Sequence, residues 1–313
     1  MRLLIFNPET EYALASGASF YTPPAVVEAL RKRSQLLPEK WASEGDIILV
    51  DDVCGLKSDF RLADWSMLGS IFDMNPDIKI DPWGWNHALR RKFLDHGVPP
   101  QYLPDIPTID RIRLLAHRRT TIPLNEEWNR IVANHADMVE VPEELHSTDQ
   151  CLSYLHSHPG CWMKAPWSSS GRGVINTAAD MSEEQVRQWC HGIIRRQGSV
   201  LAETAAMRLA DFATEWMIDS GNACFSGLSC FETSNRGKYI SNDMRPQSQL
   251  TDTFNSLCRI DLEQVVAWQK EIICRHLSGY SGPLGIDMIV QTDGMLRPLV
   301  EVNLRRTMGM LYI

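Results

Sequence analysis

The stretch LGIDMIVQTDGMLRPLVEVN, residues 284–303, constrains the fold of this chain more than any other. Two strand-like runs flank Thr292, Asp293, Gly294 and Met295, the pattern of a hairpin closed by a glycine turn. Residues two apart on a strand share a face, so Glu301 and Asn303 present oxygen donors side by side, with Arg305 next along. Register decides whether Asp287 joins them. A loop of Asp293, Gly294 and Met295 puts Asp287 directly opposite Glu301, whereas a two-residue Asp-Gly loop turns it to the other face. The expected arrangement is the longer loop, or a bulge with the same effect. Such an oxygen set suits a hard cation such as magnesium, which also takes nucleotide phosphates; the plainer alternative is a solvated strand edge with an internal salt bridge.

A second stretch, KAPWSSSGRG, begins at Lys164. CWMKA reads as a strand end, and Ser168, Ser169, Ser170, Gly171, Arg172 and Gly173 read as a flexible cover rich in backbone and hydroxyl donors for phosphate oxygens. The order differs from a Walker A loop, which ends in its lysine, and from a protein-kinase loop, which precedes it with an HRD to follow. Alone, the stretch reads equally well as a surface turn. SVLAETA ends a strand at Glu203, and Glu215 in ATEW follows an insert containing Asp211. A segment linking two lobes offers backbone groups to adenine and a nearby carboxylate to ribose hydroxyls; a surface charge is the alternative for Glu203.

A formal charge of −8 over 313 residues argues against broad binding to nucleic acid or an anionic membrane. Apolar runs stay under about 18 residues, and MRLLIFNPETE meets acidic residues too early for a secretory signal, so a cytoplasmic location is expected. Eight cysteines without a CxxC pair, and dispersed histidines, weigh against a zinc site or a disulfide framework. LLIFN, AVVEALRKR and DIILVDD alternate as strand, helix and strand, a parallel α/β unit with Rossmann-like layers. GxGxxG is missing from it. PPQYLPDIP is the expected linker. Beyond it, IDRIRLLAHRR, SEEQVRQWCHGIIRRQ with Ser182 and Gln185 at its cap, and DLEQVVAWQKEIICRHL read as helices among strands, an α+β unit with antiparallel pairs.

Taken in order, the strand lysine with its Ser/Gly loop, the acidic strand end, the GID strand and the E-x-N-x-R motif resemble the ATP-grasp superfamily over residues 111–313. The resemblance implies α/β plus α+β architecture: a Rossmann-like pre-ATP-grasp domain over 1–110, then a two-lobed ATP-grasp domain over 111–313, divided near residue 203. It implies ATP with two magnesium ions, manganese being an alternative, on Asp287, Glu301 and Asn303. Lys164 would bind phosphate under the 168–173 loop, and Leu201, Ala202 and Glu203 would face adenine. Asp211 or Glu215 would meet ribose, and Arg305 would hold the acyl phosphate or a substrate carboxylate. Arg118 or Arg119 stands where the superfamily has an early lysine. The implied reaction joins a small-molecule or peptide carboxylate to an amine through an acyl phosphate, with release of ADP. Non-ligating nucleotide binding and phosphorylation of a hydroxyl are the alternatives, and a homo-oligomer is compatible with each.

Substrate contacts are expected in FNPETEY (residues 6–12), YTPP (21–24) and PWGWN (82–86). Trp83 and Trp85 fit packing better than ligand contact, and Arg245 reads as an exposed arginine or an anion ligand.

Overall fold

The computed structural model describes residues 1–133, 138–168, 171, 173–178, 181–234 and 239–313. The fold is mixed α/β, and the chain divides into two compact units, Met1–Leu114 and Leu115–Ile313.

The first unit is built from β1 (Arg2–Ile5), α1 (Thr10–Ser16), α2 (Ala25–Arg33), β2 (Ile47–Leu49), β3 (Arg61–Ala63), α3 (Leu68–Met74), β4 (Lys79–Pro82) and α4 (His87–Asp95). The helix α5 (Ile106–Leu115) closes it. The strands form a parallel sheet in the order β3-β2-β1-β4. Leu3 and Leu4 point to opposite faces of that sheet and both are fully buried, which is why β1 reads as a continuous apolar run. Leu3, Ile5, Ile47 and Leu49 pack with Ile71 and Phe72 of α3 and with Leu89 and Phe93 of α4. The proline-dense stretch expected to be a linker packs within this unit instead. Tyr102 lies on Phe72 at 4.7 Å between centroids, Leu103 joins the core, and Ile109 of α5 is fully buried. Its prolines sit where a missing N–H costs little: Pro100 opens a 3-10 turn and Pro107 lies in the first turn of α5.

The second unit contains α6 (Thr121–Val132), β5 (Glu143–Leu145), α7 (Thr148–Ser157), β6 (Trp162–Lys164), β7 (Val174–Asn176), α8 (Glu183–Gln197) and β8 (Val200–Glu203). It continues with β9 (Arg208–Asp219), β10 (Asn222–Thr233), β11 (Tyr239–Asn242), α9 (Gln247–Leu257), α10 (Leu262–His276), β12 (Gly282–Gln291) and β13 (Leu296–Asn303). Its two sheets, β5-β8-β6-β7 and β11-β10-β9-β12-β13, are antiparallel throughout. On the first, Cys151 and Tyr154 of α7 and Val186 and Cys190 of α8 pack against Met163 and Ala202. Both helices open with a capping box, Ser147 with Gln150 and Ser182 with Gln185.

The five-stranded sheet divides its faces by residue parity. Asp287 opposes Ala213 and Glu301, Gly285 opposes Glu215 and Asn303, and Ile289 opposes Asp211, so these acids share one face. The other face carries Phe212, Trp216, Ile286 and Met288, all fully buried. Phe212 meets Phe254 of α9 edge-on at 5.1 Å, and Thr214 donates to Gln269 of α10 at 2.7 Å. Trp128 of α6 packs edge-on to Trp268 of α10 at 5.4 Å.

The β12–β13 turn comprises Thr292, Asp293 and Gly294, one residue earlier than expected: the Gln291 N–H donates to Met295 O and the Gly294 N–H to Gln291 O, each at 2.8 Å. Gly294 has φ +82°, a conformation that favours glycine. Val290 then pairs with Leu296 and Ile289 with Arg297. Continued unbroken, that register would set Asp287 against Leu299. A bulge intervenes, in which Met288 faces residues 298–300, and Asp287 is returned to Glu301.

All eight cysteines are free thiols. Among the described residues no helix is long and apolar enough to cross a membrane.

Candidate active site

Lys164 ends β6 and Glu203 ends β8, in antiparallel strands whose pairing brings the two side chains together on one face. Lys164 Nζ lies 2.5 Å from Glu203 Oε1, with both side chains largely buried. Past Lys164 the chain turns back, the Ala165 N–H donating to Gly173 O at 2.7 Å. Gly171 and Gly173 have φ +71° and +74°, and a Cβ on Gly173 would fall 2.8 Å from Ser168 Cβ. Ser169, Ser170 and Arg172 lie outside the described residues.

Arg118 enters from the 3-10 turn Arg118–Thr120 that leads into α6. Its guanidinium donates to Ala165 O and Ser168 Oγ at 2.6 Å and to Glu301 Oε1 at 2.7 Å. Arg119 is 44% exposed, and among the described residues its guanidinium meets Glu144 at 4.0 Å, so of the two arginines it is Arg118 that stands in the site.

Opposite these cations stands the hairpin. Asn303 Nδ2 donates to Asp287 Oδ1 at 3.3 Å, and Arg305 Nη2 donates to Asn303 Oδ1 at 3.0 Å. Lys164, Arg118, Glu203, Asp211, Asp287 and Glu301 line one cavity of about 380 Å³, within the range of about 300–1,000 Å³ usual for small-molecule sites. Burial, then the charges of Glu301 and Glu215, push the Asp287 carboxyl well above the ordinary carboxylate range, against the opposing pull of Arg305. Burial also raises Asp211, opposed by Arg208 and by the Thr233 hydroxyl, which donates to its Oδ2 at 2.6 Å. Arg208 and Thr233 line the cavity too, and nothing in their sequence context marks them.

Several expected contacts fall elsewhere. Leu201 and Ala202 are buried interior positions of β8, which runs between β5 and β6, and they do not line the cavity. The chain leaving that strand does so through Ala205 and Ala206. Thr204 is fixed there by Arg297, which donates to its O at 3.0 Å and its Oγ1 at 2.9 Å. Glu215 is likewise outside the cavity. It shares a face with Asp211 but lies four residues, about 13 Å, further along β9, fully buried, with Ser229 Oγ donating to it at 2.9 Å. Burial pushes its carboxyl up to about 7, opposed by the Thr307 and Ser229 hydroxyls and by Arg305.

In the first unit, Trp83 is buried edge-on to Phe6 at 5.0 Å, Trp85 packs on Phe93 at 6.0 Å, and Asn86 caps α4 through Leu89 N. Those side chains serve that unit's own packing. Arg245 donates to the Asp243 carboxylate at 2.6 and 2.8 Å, a local pair on the surface.

Two facing carboxylates and the side-chain oxygen of an amide make an all-oxygen donor set. The residues therefore fit a hard divalent cation. Among the described residues no group of three His, Cys, Asp or Glu is arranged to hold a metal, so any such ion would need further oxygens from a ligand.

No family model matches the sequence, and no curated protein matches it. Solved structures do. A biotin carboxylase from Campylobacter jejuni in complex with β,γ-ATP aligns with 12% identity and a TM-score of 0.56, covering 98% of this chain and 66% of that one. An N5-carboxyaminoimidazole synthetase from Staphylococcus aureus complexed with ADP aligns with 11% identity and a TM-score of 0.51, over 98% of this chain and 71% of that one. An L-amino acid ligase from Bacillus licheniformis aligns with 14% identity and a TM-score of 0.50, over 99% and 70%. The chain has the fold of ATP-grasp proteins. It spans just under two thirds of the biotin carboxylase chain.

Proposed function

We propose that this chain is an ATP- and magnesium-dependent ligase that activates a small-molecule or peptide carboxylate and joins it to an amine, releasing ADP and phosphate. The observation that carries this reading is the opposition of two buried cations, Lys164 and Arg118, to the Asp287–Glu301 pair across one cavity. Solved neighbours of the same fold hold ATP-type nucleotides and include an amino acid ligase, which supports it. In this reading residues 1–110 are a Rossmann-like pre-ATP-grasp domain, and residues 111–203 and 204–313 are the two lobes that enclose the nucleotide.

Lys164 and Arg118 take the phosphate oxygens, under a cover that includes Ser168, Gly171 and Gly173. Ala205, Ala206 and Glu203 border the base, and Asp211 receives the ribose hydroxyls. Magnesium held by Asp287, Glu301 and Asn303 would neutralise phosphate charge. The substrate carboxylate attacks the γ-phosphorus in line, the bond to the β-phosphate oxygen breaks, and the amine then displaces phosphate from the acyl phosphate. This chemistry asks the protein for positioning and fixed charge rather than a covalent nucleophile. Arg305 orients the Asn303 amide and would hold the acyl phosphate or the substrate carboxylate.

ATP turnover with magnesium over a panel of amino acids, peptides and small carboxylates, with hydroxylamine as trap, tests the reading. ADP with a hydroxamate supports a ligase. ADP without one points to phosphorylation of a hydroxyl, and nucleotide binding without turnover points to a regulatory protein.

A further inference from the structure

We infer that Gln269 and Asn125, two buried amides outside the cavity, are positioning residues that fix the register on which the Asp287–Glu301 pair depends. The inference rests on the proposed cation site only for one of its two tests.

The bulge at residues 298–300 leaves carbonyls that the β12–β13 ladder does not use. Pro298 O accepts from Gln269 Nε2 at 2.8 Å, and Leu299 O accepts from Asn125 Nδ2 at 3.0 Å. Gln269 is fully buried, and its Oε1 accepts from Thr214 on β9, so α10 ties the bulge to a neighbouring strand of the sheet. Asn125 is 4% exposed and also donates to Thr121 O at 2.8 Å, while Thr121 Oγ1 donates to Arg118 O at 2.8 Å. The helix that grips the bulge thus follows directly on the 3-10 turn that carries the arginine reaching Glu301.

The size of the register shift decides the consequence. Without the bulge, Glu301 would oppose Gly285 rather than Asp287, a displacement of two residues, or about 7 Å along the strand. Oxygens sharing one magnesium each lie about 2 Å from it, hence no more than about 4 Å apart. The shifted register would carry Asn303, which now meets Asp287 at 3.3 Å from a two-residue offset, to a four-residue offset, about 13 Å along the strand, and so break up the three-residue oxygen set. Apolar residues at 125 and 269 would leave two buried carbonyls without donors, favouring the unbulged ladder in which Leu299 regains a partner on β12.

The register is read without any metal by placing cysteines at both positions, Asp287→Cys with Glu301→Cys, and locating the oxidative cross-link by peptide mass. The link forms with Asn125 and Gln269 intact and is expected to fall at least tenfold with Gln269→Leu or Asn125→Leu. The second arm measures Mn2+ binding by electron paramagnetic resonance with ADP present, and ADP binding without metal, in the single variants. Mn2+ affinity is expected to fall at least tenfold while metal-free ADP affinity stays within twofold, a split that general loosening of the fold would not give. Thr214→Val, which releases Gln269 without touching the bulge, gives a smaller loss in both arms and replaces the leucine variants should they fail to fold. Undiminished cross-linking in folded variants overturns the inference. Loss of cross-linking in a protein that never binds Mn2+ sustains the register role and removes the cation site instead.

Discussion

The Arg118 guanidinium donates to Glu301 Oε1 at 2.7 Å, joining residues 183 positions apart. That bond ties the arginine proposed to take phosphate to a carboxylate proposed to hold magnesium. Lys164 and Glu203 repeat the arrangement at 2.5 Å. Nucleotide and metal arriving together satisfy both halves of the Arg118–Glu301 pair, whereas metal alone must strip Glu301 from its arginine. Mn2+ affinity is therefore expected to be at least tenfold higher with ADP than without it, measured by electron paramagnetic resonance. Equal affinities would show that the pair does not gate the site.

Lys164→Met leaves Glu203 buried without its cation, which costs about 3 kcal/mol, whereas Lys164→Met with Glu203→Gln removes both charges and restores most of that stability. Neither variant should turn over ATP above about 1% of the parent rate. Thermal melts and ADP release separate the two effects.

Glu301→Ala and Asn303→Ala should abolish turnover while the protein stays folded, because each removes one proposed oxygen ligand by truncating a single polar side chain of β13. Normal activity in both would place the metal elsewhere.

Glu215 carries a pH prediction. Its folded pKa of about 7 lies above the ordinary 4.5, so between these values the folded protein holds a proton that the unfolded chain has lost. Its contribution is full below about pH 4.5, declines as pH rises through 7, and amounts to a loss on the order of 3 kcal/mol. Glu215→Gln should therefore melt higher than the parent at pH 8 and show a flatter melting curve against pH from 5 to 8, in metal-free buffer.

Gly173→Ala tests the cover beside Lys164. At φ +74° an L-residue costs about 1–2 kcal/mol, and its Cβ would press on Ser168. Reduced ATP affinity with a modest fall in melting temperature is expected, by calorimetry and thermal melt.

The common face of Glu301 and Asn303 follows from the sequence because strand periodicity is local, whereas the side on which Asp287 falls depends on the register of the hairpin. The caps at Ser182 and the helix after Pro24 are equally local and equally legible. Gln269 left a readable trace too, an amide in an otherwise apolar helical stripe of Val265, Ile272 and Ile273, whereas Asn125 is flanked by the buried polar residues Thr121 and Asn129 and stands out less. What that trace meant depended on a partner in another element.

The sequence by itself thus determined which residues could bear charge on a common face, and the parallel and antiparallel character of the two units. Tertiary structure alone decided that Glu215 is sealed away while Asp211 reaches the cavity, that Arg118 rather than Arg119 enters the site, and that a bulge, not the turn, brings Asp287 to Glu301. The reason is physical: periodicity assigns a face, but position along a strand is set by hydrogen bonds to carbonyls that other helices must reach.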